Sequence, residues 1–226
     1  MATKVAVIQF PGTNCELDVA EVVQRLGAKP EIIFHDDHSI HNADAVIIAG
    51  GFAHGDYLRP GAIARFSPVM EPIVEFARAG GPVVGICNGF QVLTEAHLLP
   101  GALQKNARLK FRCGMVDLRV DSNDSALTSE AEVGQILRMP INHFEGNFTC
   151  SSETLAQLRD EDRVVLRYVE NPNGSVDDIA GICNAQRNVV GLMPHPERAS
   201  HGLLGSEDGL VLMRSVLTAA GAPVAV

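Results

Sequence analysis

Two short apolar runs constrain this chain more tightly than any other feature: the one opening at Asp44 and continuing Ala45-Val46-Ile47-Ile48-Ala49, and Val83-Val84-Gly85-Ile86. Each is rich in β-branched residues and unrelieved by polar alternation, which is how a strand covered on both faces reads. Between them Ile63, Phe66, Val69, Met70, Ile73 and Phe76 recur at helical spacing and predict one helix over about 61–79 with those residues inward. Upstream, Lys4 to Phe10 reads as a strand, Val19, Val22, Val23 and Leu26 as a helix stopped by Gly27, and Glu31 to Phe34 as a second strand. This alternation implies an α/β fold with a mostly parallel, flavodoxin-like central sheet and helices on both faces, and ligands in such folds bind beyond the carboxyl ends of the strands. From about Leu109 the pattern changes to strands at 111–120, 135–141, 163–169, 179–183 and 189–193 without evident helices between them. These read as antiparallel additions, with a closing helix near 207–219.

A chain of 226 residues with 46% apolar composition and no low-complexity linker is expected to form a single domain over 1–226. A net charge of −9 and the absence of basic runs disfavour nucleic acid or an anionic membrane as the main partner. No stretch nears the roughly 18 consecutive apolar residues that span a bilayer, and the chain enters its first strand without a secretory signal, so a cytoplasmic location is expected. Five scattered cysteines with no C-x-x-C pair indicate neither a disulfide framework nor a zinc site. His35, His38 and His41 with Asp36 and Asp37 resemble a metal site only superficially, in what reads as a polar loop, and no metal is expected.

The second apolar run drives into Cys87 and then turns helical through Phe90, Val92 and Leu93. Glycines two before and two after, Gly85 and Gly89, are what a nucleophile elbow needs to relieve crowding at a strained strand-to-helix bend. The helix N-terminus that follows favours a thiolate there. The tetrapeptide Gly-Ile-Cys-Asn recurs at 181–184, but that copy lacks the second glycine and runs into another β-rich stretch, so Cys183 reads as a packing residue in a hairpin. Gly50-Gly51-Phe52, after the first run, lets backbone N–H groups approach a reacting carbonyl.

A thiol nucleophile needs an imidazole, and the imidazole an orienting carboxylate. Pro194-His195-Pro196-Glu197 offers both, because prolines favour an extended backbone in which residues two apart project to the same side. His143 with Glu145 is a competing pair in a more loop-like setting.

Together Gly85-Ile86-Cys87-Asn88-Gly89-Phe90-Gln91, Gly50-Gly51-Phe52 and Pro194-His195-Pro196-Glu197 resemble the class I (Cys-His-Glu) glutamine amidotransferases. The stretch from Gly50 to Arg65, Glu145-Gly146-Asn147-Phe148, Asn173-Gly174-Ser175 and Met193 to Arg198 narrow the likeness to the glutaminase subunits that serve phosphoribosylformylglycinamidine synthases. The resemblance implies Cys87 as nucleophile, His195 as proton carrier, Glu197 as its orienter, the N–H groups of Gly51 and Asn88 as oxyanion hole, and Gln91 as a substrate contact. It also implies a γ-glutamyl thioester, and ammonia passed to a large synthase subunit accompanied by a small accessory subunit. This chain has no G-x-x-x-x-G-K-[ST] loop, so no cofactor is expected here, and ATP and magnesium fall to the partner. Phe144 in His143-Phe144-Glu145-Gly146 departs from the His-Gly-Glu-Gly expected of the family. An independent hydrolase using the same triad and a non-catalytic cysteine-elbow redox protein are the alternatives; the extended Gly55–Arg65 stretch disfavours the first, and the second has no need of Pro-His-Pro-Glu.

Overall fold

A computed structural model describes residues 2–222. The first half of the chain alternates as the apolar pattern dictates: β1 (Lys4–Gln9), α1 (Glu16–Arg25), β2 (Lys29–Phe34), β3 (Ala45–Ile48), α2 (Met70–Arg78), β4 (Val83–Ile86) and α3 (Asn88–Glu95). Then come β5 (Ala102–Gln104), β6 (Arg112–Val120), β7 (Ile136–His143), β8 (Asn147–Thr149), α4 (Ser152–Asp160), β9 (Val164–Tyr168), β10 (Ile179–Cys183), β11 (Val189–Leu192) and α5 (Gly209–Ala219). Nine strands form one sheet in the order β2-β1-β3-β4-β11-β10-β9-β6-β7, parallel from β2 to β11 and antiparallel from there to β7. All four residues of β3, β4 and β11 are buried, as their unbroken apolar character requires.

The sequence expectation needs three corrections. The single helix expected over 61–79 is a short 3₁₀ turn at Ala64–Phe66 followed by α2. Ser67 between them is extended at φ −64°, ψ 143°, because the ring of Pro68 disfavours the helical region for the residue before it. Phe66, expected inward, is therefore 75% exposed. Second, α4 lies where only strands were expected. Its N-terminus is set by Ser151, whose Oγ accepts the Thr154 N–H at 3.1 Å, and only Leu158 is fully buried on it, so it lacks the broad apolar stripe that would announce it. Third, β5 and β8 form a separate two-stranded antiparallel ladder. The hairpin reading of 179–193 holds, with Cys183 opposite Val190 in an antiparallel pair.

This topology positions a site at the carboxyl end of β4. Its parallel neighbours are β3 on one side and β11 on the other, with Leu192 paired to Ile86. The turns leaving β3, β4 and β11 therefore emerge side by side, although Cys87 and His195 are more than one hundred residues apart in the chain.

Candidate active site

Cys87 stands between β4 and α3 with φ 51° and ψ −105°, a conformation side-chain-bearing residues rarely adopt. Its amide is pinned to β11, donating to the Leu192 carbonyl at 2.8 Å, while its own carbonyl accepts the Phe90 N–H at 3.0 Å. The flanking glycines are steric necessities. A methyl group on Gly89 would lie 2.1 Å from the Ile48 carbonyl oxygen, and one on Gly85 2.5 Å from the Gly89 backbone. The tight bend and the close seating of α3 on the sheet both depend on them.

His195 is 2% exposed and its Nδ1 lies 2.6 Å from Glu197 Oε1, with Glu197 itself fully enclosed. The pairing expected from an extended backbone arises differently. His195 is extended, but Pro196–Arg198 makes a 3₁₀ turn that folds Glu197 back under the ring. The His195 N–H donates to the Pro140 carbonyl on β7 at 2.9 Å, and Ser200 Oγ donates to the Glu197 carbonyl at 2.8 Å. Burial is the largest single influence and pulls the imidazole pKa down, but the Glu197 carboxylate, the charge of Cys87 and the nearby Cys15 and Cys87 sulfurs together outweigh it. The ring is held well above its ordinary pKa and carries a proton. Its Nε2 and Glu197 Oε2 have no hydrogen-bond partner.

The loop after β3 closes over this pair. Gly51, at φ 151°, occupies backbone space that favours glycine, and a methyl there would strike the Gly12–Asn14 backbone at 2.6–2.8 Å. The N–H groups of Asn14 and Cys15 both donate to the Gly50 carbonyl at 3.2 Å, and the Phe52 N–H donates to the Gly12 carbonyl at 2.9 Å. Asn88 ties this loop to the elbow: its Oδ1 accepts the Ala53 N–H at 2.9 Å and its Nδ2 donates to Gln91 Oε1 at 2.8 Å. Gln91 Nε2 in turn donates to the Glu145 carbonyl at 2.6 Å. All six residues named from the sequence, Cys87, His195, Glu197, Gly51, Asn88 and Gln91, thus belong to one connected cluster.

His143 does not compete as the base. It is buried at the end of β7, both ring nitrogens lack partners, and no carboxylate orients it. Burial, then the neighbouring His195 charge, pushes its pKa down to about 4, so it is neutral at pH 7. Asp56 lines the same side, hydrogen-bonded by Asn88 Nδ2 at 3.3 Å, with its carboxyl raised to about 6 by burial and then by Glu145. The 35–41 histidines are apart from this cluster: His41 bridges Glu31 and Asp37 at 2.7 and 3.0 Å, and His35 contacts Ser67.

One member of the cluster escapes the sequence reading. Cys15, buried at the start of α1, lies with His195 and Glu197 so that one ligand-capable atom of each falls within 4.8 Å of the others. Its sulfur would touch a methyl on Gly50 at 3.2 Å, while the same methyl would press the His195 ring at 2.9 Å. The signal available was positional: Cys15 follows the carboxyl end of β1, the same sheet edge as Cys87.

Comparison with known proteins gives the chain's family. Residues 2–207 match the model of the CobB/CobQ-like glutamine amidotransferase domain. The chain is 57% identical over 217 residues to the phosphoribosylformylglycinamidine synthase subunit PurQ of Rubrobacter xylanophilus, covering 96% of this chain and 99% of that one. It is 49% identical to the subunit of that name from Koribacter versatilis, covering 96% and 98%. Among solved structures it superposes on a chain of PurLQS from Thermotoga maritima with a TM-score of 0.89 at 41% identity, covering 96% and 99%. On a family match spanning nearly its whole length and full-length relatives at this identity, the chain belongs to the glutamine amidotransferases, in the branch of the phosphoribosylformylglycinamidine synthase subunits.

Proposed function

We propose that this chain hydrolyses glutamine to glutamate and ammonia and delivers the ammonia to a synthase that makes formylglycinamidine ribonucleotide in purine biosynthesis. In this reading the Cys87 thiolate attacks the side-chain amide carbon of glutamine, and the N–H groups of Gly51 and Asn88 receive the developing oxyanion. The His195 imidazolium gives its proton to the leaving nitrogen, ammonia departs, and a γ-glutamyl thioester remains on Cys87. Neutral His195 then takes a proton from water, hydroxide adds to the thioester, and glutamate leaves as the thiolate and imidazolium are restored. Glu197 fixes the ring and stabilises its charge throughout. Gln91, tethered between Asn88 and the Glu145 carbonyl, contacts the substrate beyond the amide.

The observation that carries this reading is the buried His195–Glu197 pair at 2.6 Å, set beside the elbow by the parallel pairing of β11 with β4. The named relatives are subunits of a synthase, and the similar solved structure is of a PurLQS assembly. The partners are accordingly a large synthase subunit, which uses ATP and magnesium, and a small accessory subunit. No described helix is long and apolar enough to cross a membrane and the described cysteines are unpaired, in keeping with a cytoplasmic setting. A glutamine-derived chloroketone is expected to label Cys87 alone and abolish glutamine-dependent ammonia release, and Cys87→Ala is expected to do neither reaction. Labelling chiefly at Cys15 or Cys183 would overturn the assignment.

A further inference from the structure

The loop leading into β6 and the loop after β9 enclose a cavity of about 450 Å³ that shares no lining residue with the cluster around Cys87. Arg108 and Arg112 line one side, residues 171–174 the other, and no carboxylate lines it. In a chain of net charge −9, neither guanidinium enters an ion pair among the described residues. The Nε of Arg112 is shut off from solvent and has no hydrogen-bond partner. Buried donors in folded proteins are nearly always paired, so an orphaned charged donor on a cavity wall calls for an acceptor from within the cavity.

The walls are fixed by the protein itself. Buried Asn106 donates through Nδ2 to the Lys110 carbonyl at 2.9 Å and the His143 carbonyl at 3.0 Å, and its Oδ1 accepts the Gly146 N–H at 3.1 Å. Across the cavity Asn171 Oδ1 accepts the Gly174 N–H at 2.7 Å. The Ala107 N–H donates to the Asn173 carbonyl at 2.9 Å and so fastens one wall to the other. The loops approach so closely that a methyl on Gly174 would lie 2.6 Å from the Ala107 Cβ. Asp178, the carboxylate bonded to this loop, is taken by Asn171 Nδ2 at 2.9 Å. A cavity held in this way loses little conformational freedom when a ligand enters.

We infer that this cavity binds a small phosphate monoester. Two uncompensated guanidiniums match a group that carries about −1.5 to −2 charge at pH 7, and each fork of N–H donors can pair with two of its oxygens. A single carboxylate would leave one of the two cations unmatched. The volume is larger than a bare phosphate fills, and Ala107 and Pro172 give the remaining wall an apolar surface for a pentose-sized body. The site is independent of the thiol chemistry, since none of the residues proposed to act on glutamine lines it.

Titration calorimetry of the full chain with ribose 5-phosphate, inorganic phosphate and ribose tests this. Ribose 5-phosphate is expected to bind at one site per chain, inorganic phosphate to compete for it more weakly, and ribose not to bind. Arg112→Gln should weaken the ester at least about tenfold, the loss of a charge-assisted pair. Arg108→Gln, at an exposed position, should weaken it similarly and keeps the test open if the Arg112 variant folds poorly. Chloroketone labelling at Cys87 and the urea midpoint should be unchanged in both, showing that the fold survives. Arg78→Gln, which removes a cation from another part of the surface, should bind as the unmodified chain does. Absence of ribose 5-phosphate binding, binding that survives both cavity variants, or an equal loss in Arg78→Gln would overturn the inference. So would inorganic phosphate binding as tightly as the ester, which would assign the cavity to free phosphate. Failure of chloroketone labelling in the unmodified chain would instead sink the proposed function and leave these binding results standing.

Discussion

The proton on His195 is set by opposing forces: burial, the largest of them, disfavours it, and the carboxylate at 2.6 Å together with the neighbouring Cys87 and Cys15 more than compensates. Replacing Glu197 by Gln leaves burial unopposed by that charge, so the imidazole pKa falls. Glutaminase kcat/KM is expected to drop roughly 100- to 10,000-fold, and the alkaline limb of its pH profile to move to lower pH, because the charged ring is lost sooner. A profile with an unmoved limb would remove Glu197 from its assigned role. Cys15 acts on the same ring more weakly, its sulfur lying within 4.8 Å of a ring nitrogen. Cys15→Ala should shift that limb in the same direction by less than Glu197→Gln does, and Cys15→Ser should largely restore it; equal profiles for Cys15→Ala and the unmodified chain would show the sulfur to be only packing.

At the scale of elements, the strand–elbow–helix unit depends on the close approach of α3 to β3. The space for a side chain at position 89 is already filled by the Ile48 carbonyl, a backbone atom that cannot swing aside. Gly89→Ala is expected to destabilise the fold by about 3 kcal/mol in urea unfolding, through overpacking and backbone displacement. A loss under about 0.5 kcal/mol would mean that α3 can slide outward at little cost. The elbow was legible because its two glycines and flanking apolar runs are local signals. The split of the 61–79 helix had a local cause too, Pro68, but the apolar spacing continues across it and masks the break. α4 carries almost no periodic signal: one buried leucine and a serine cap hold it, and its place is decided by the sheet it lies near.

For the whole molecule, the buried polar cluster behind the site makes stability depend on pH. His143 has a folded pKa of about 4 against an ordinary 6.5, so the unfolded chain binds the proton first as the solution is acidified. Its contribution is intact above about pH 6.5 and is lost as pH falls towards 4, worth about 3 kcal/mol across that window. Asp56 has the opposite slope: with its carboxyl at about 6 instead of 3.8, it costs stability as pH rises through that interval. A His143→Leu variant should therefore lose less stability than the unmodified chain between pH 7 and pH 4.5, measured as the difference between two denaturant series. Parallel curves would show that His143 is solvated. What the residues determined alone was what short-range physics can encode: the buried strands, the alternation that makes a parallel sheet, the strained cysteine bend, and a histidine two positions from its glutamate. The tertiary structure alone decided which strands are neighbours, and so brought β11 beside β4 and Cys15 into the cluster. Strand order is settled by long-range pairing among segments of similar apolar character, and nothing in a strand's own residues names the strand that will lie next to it.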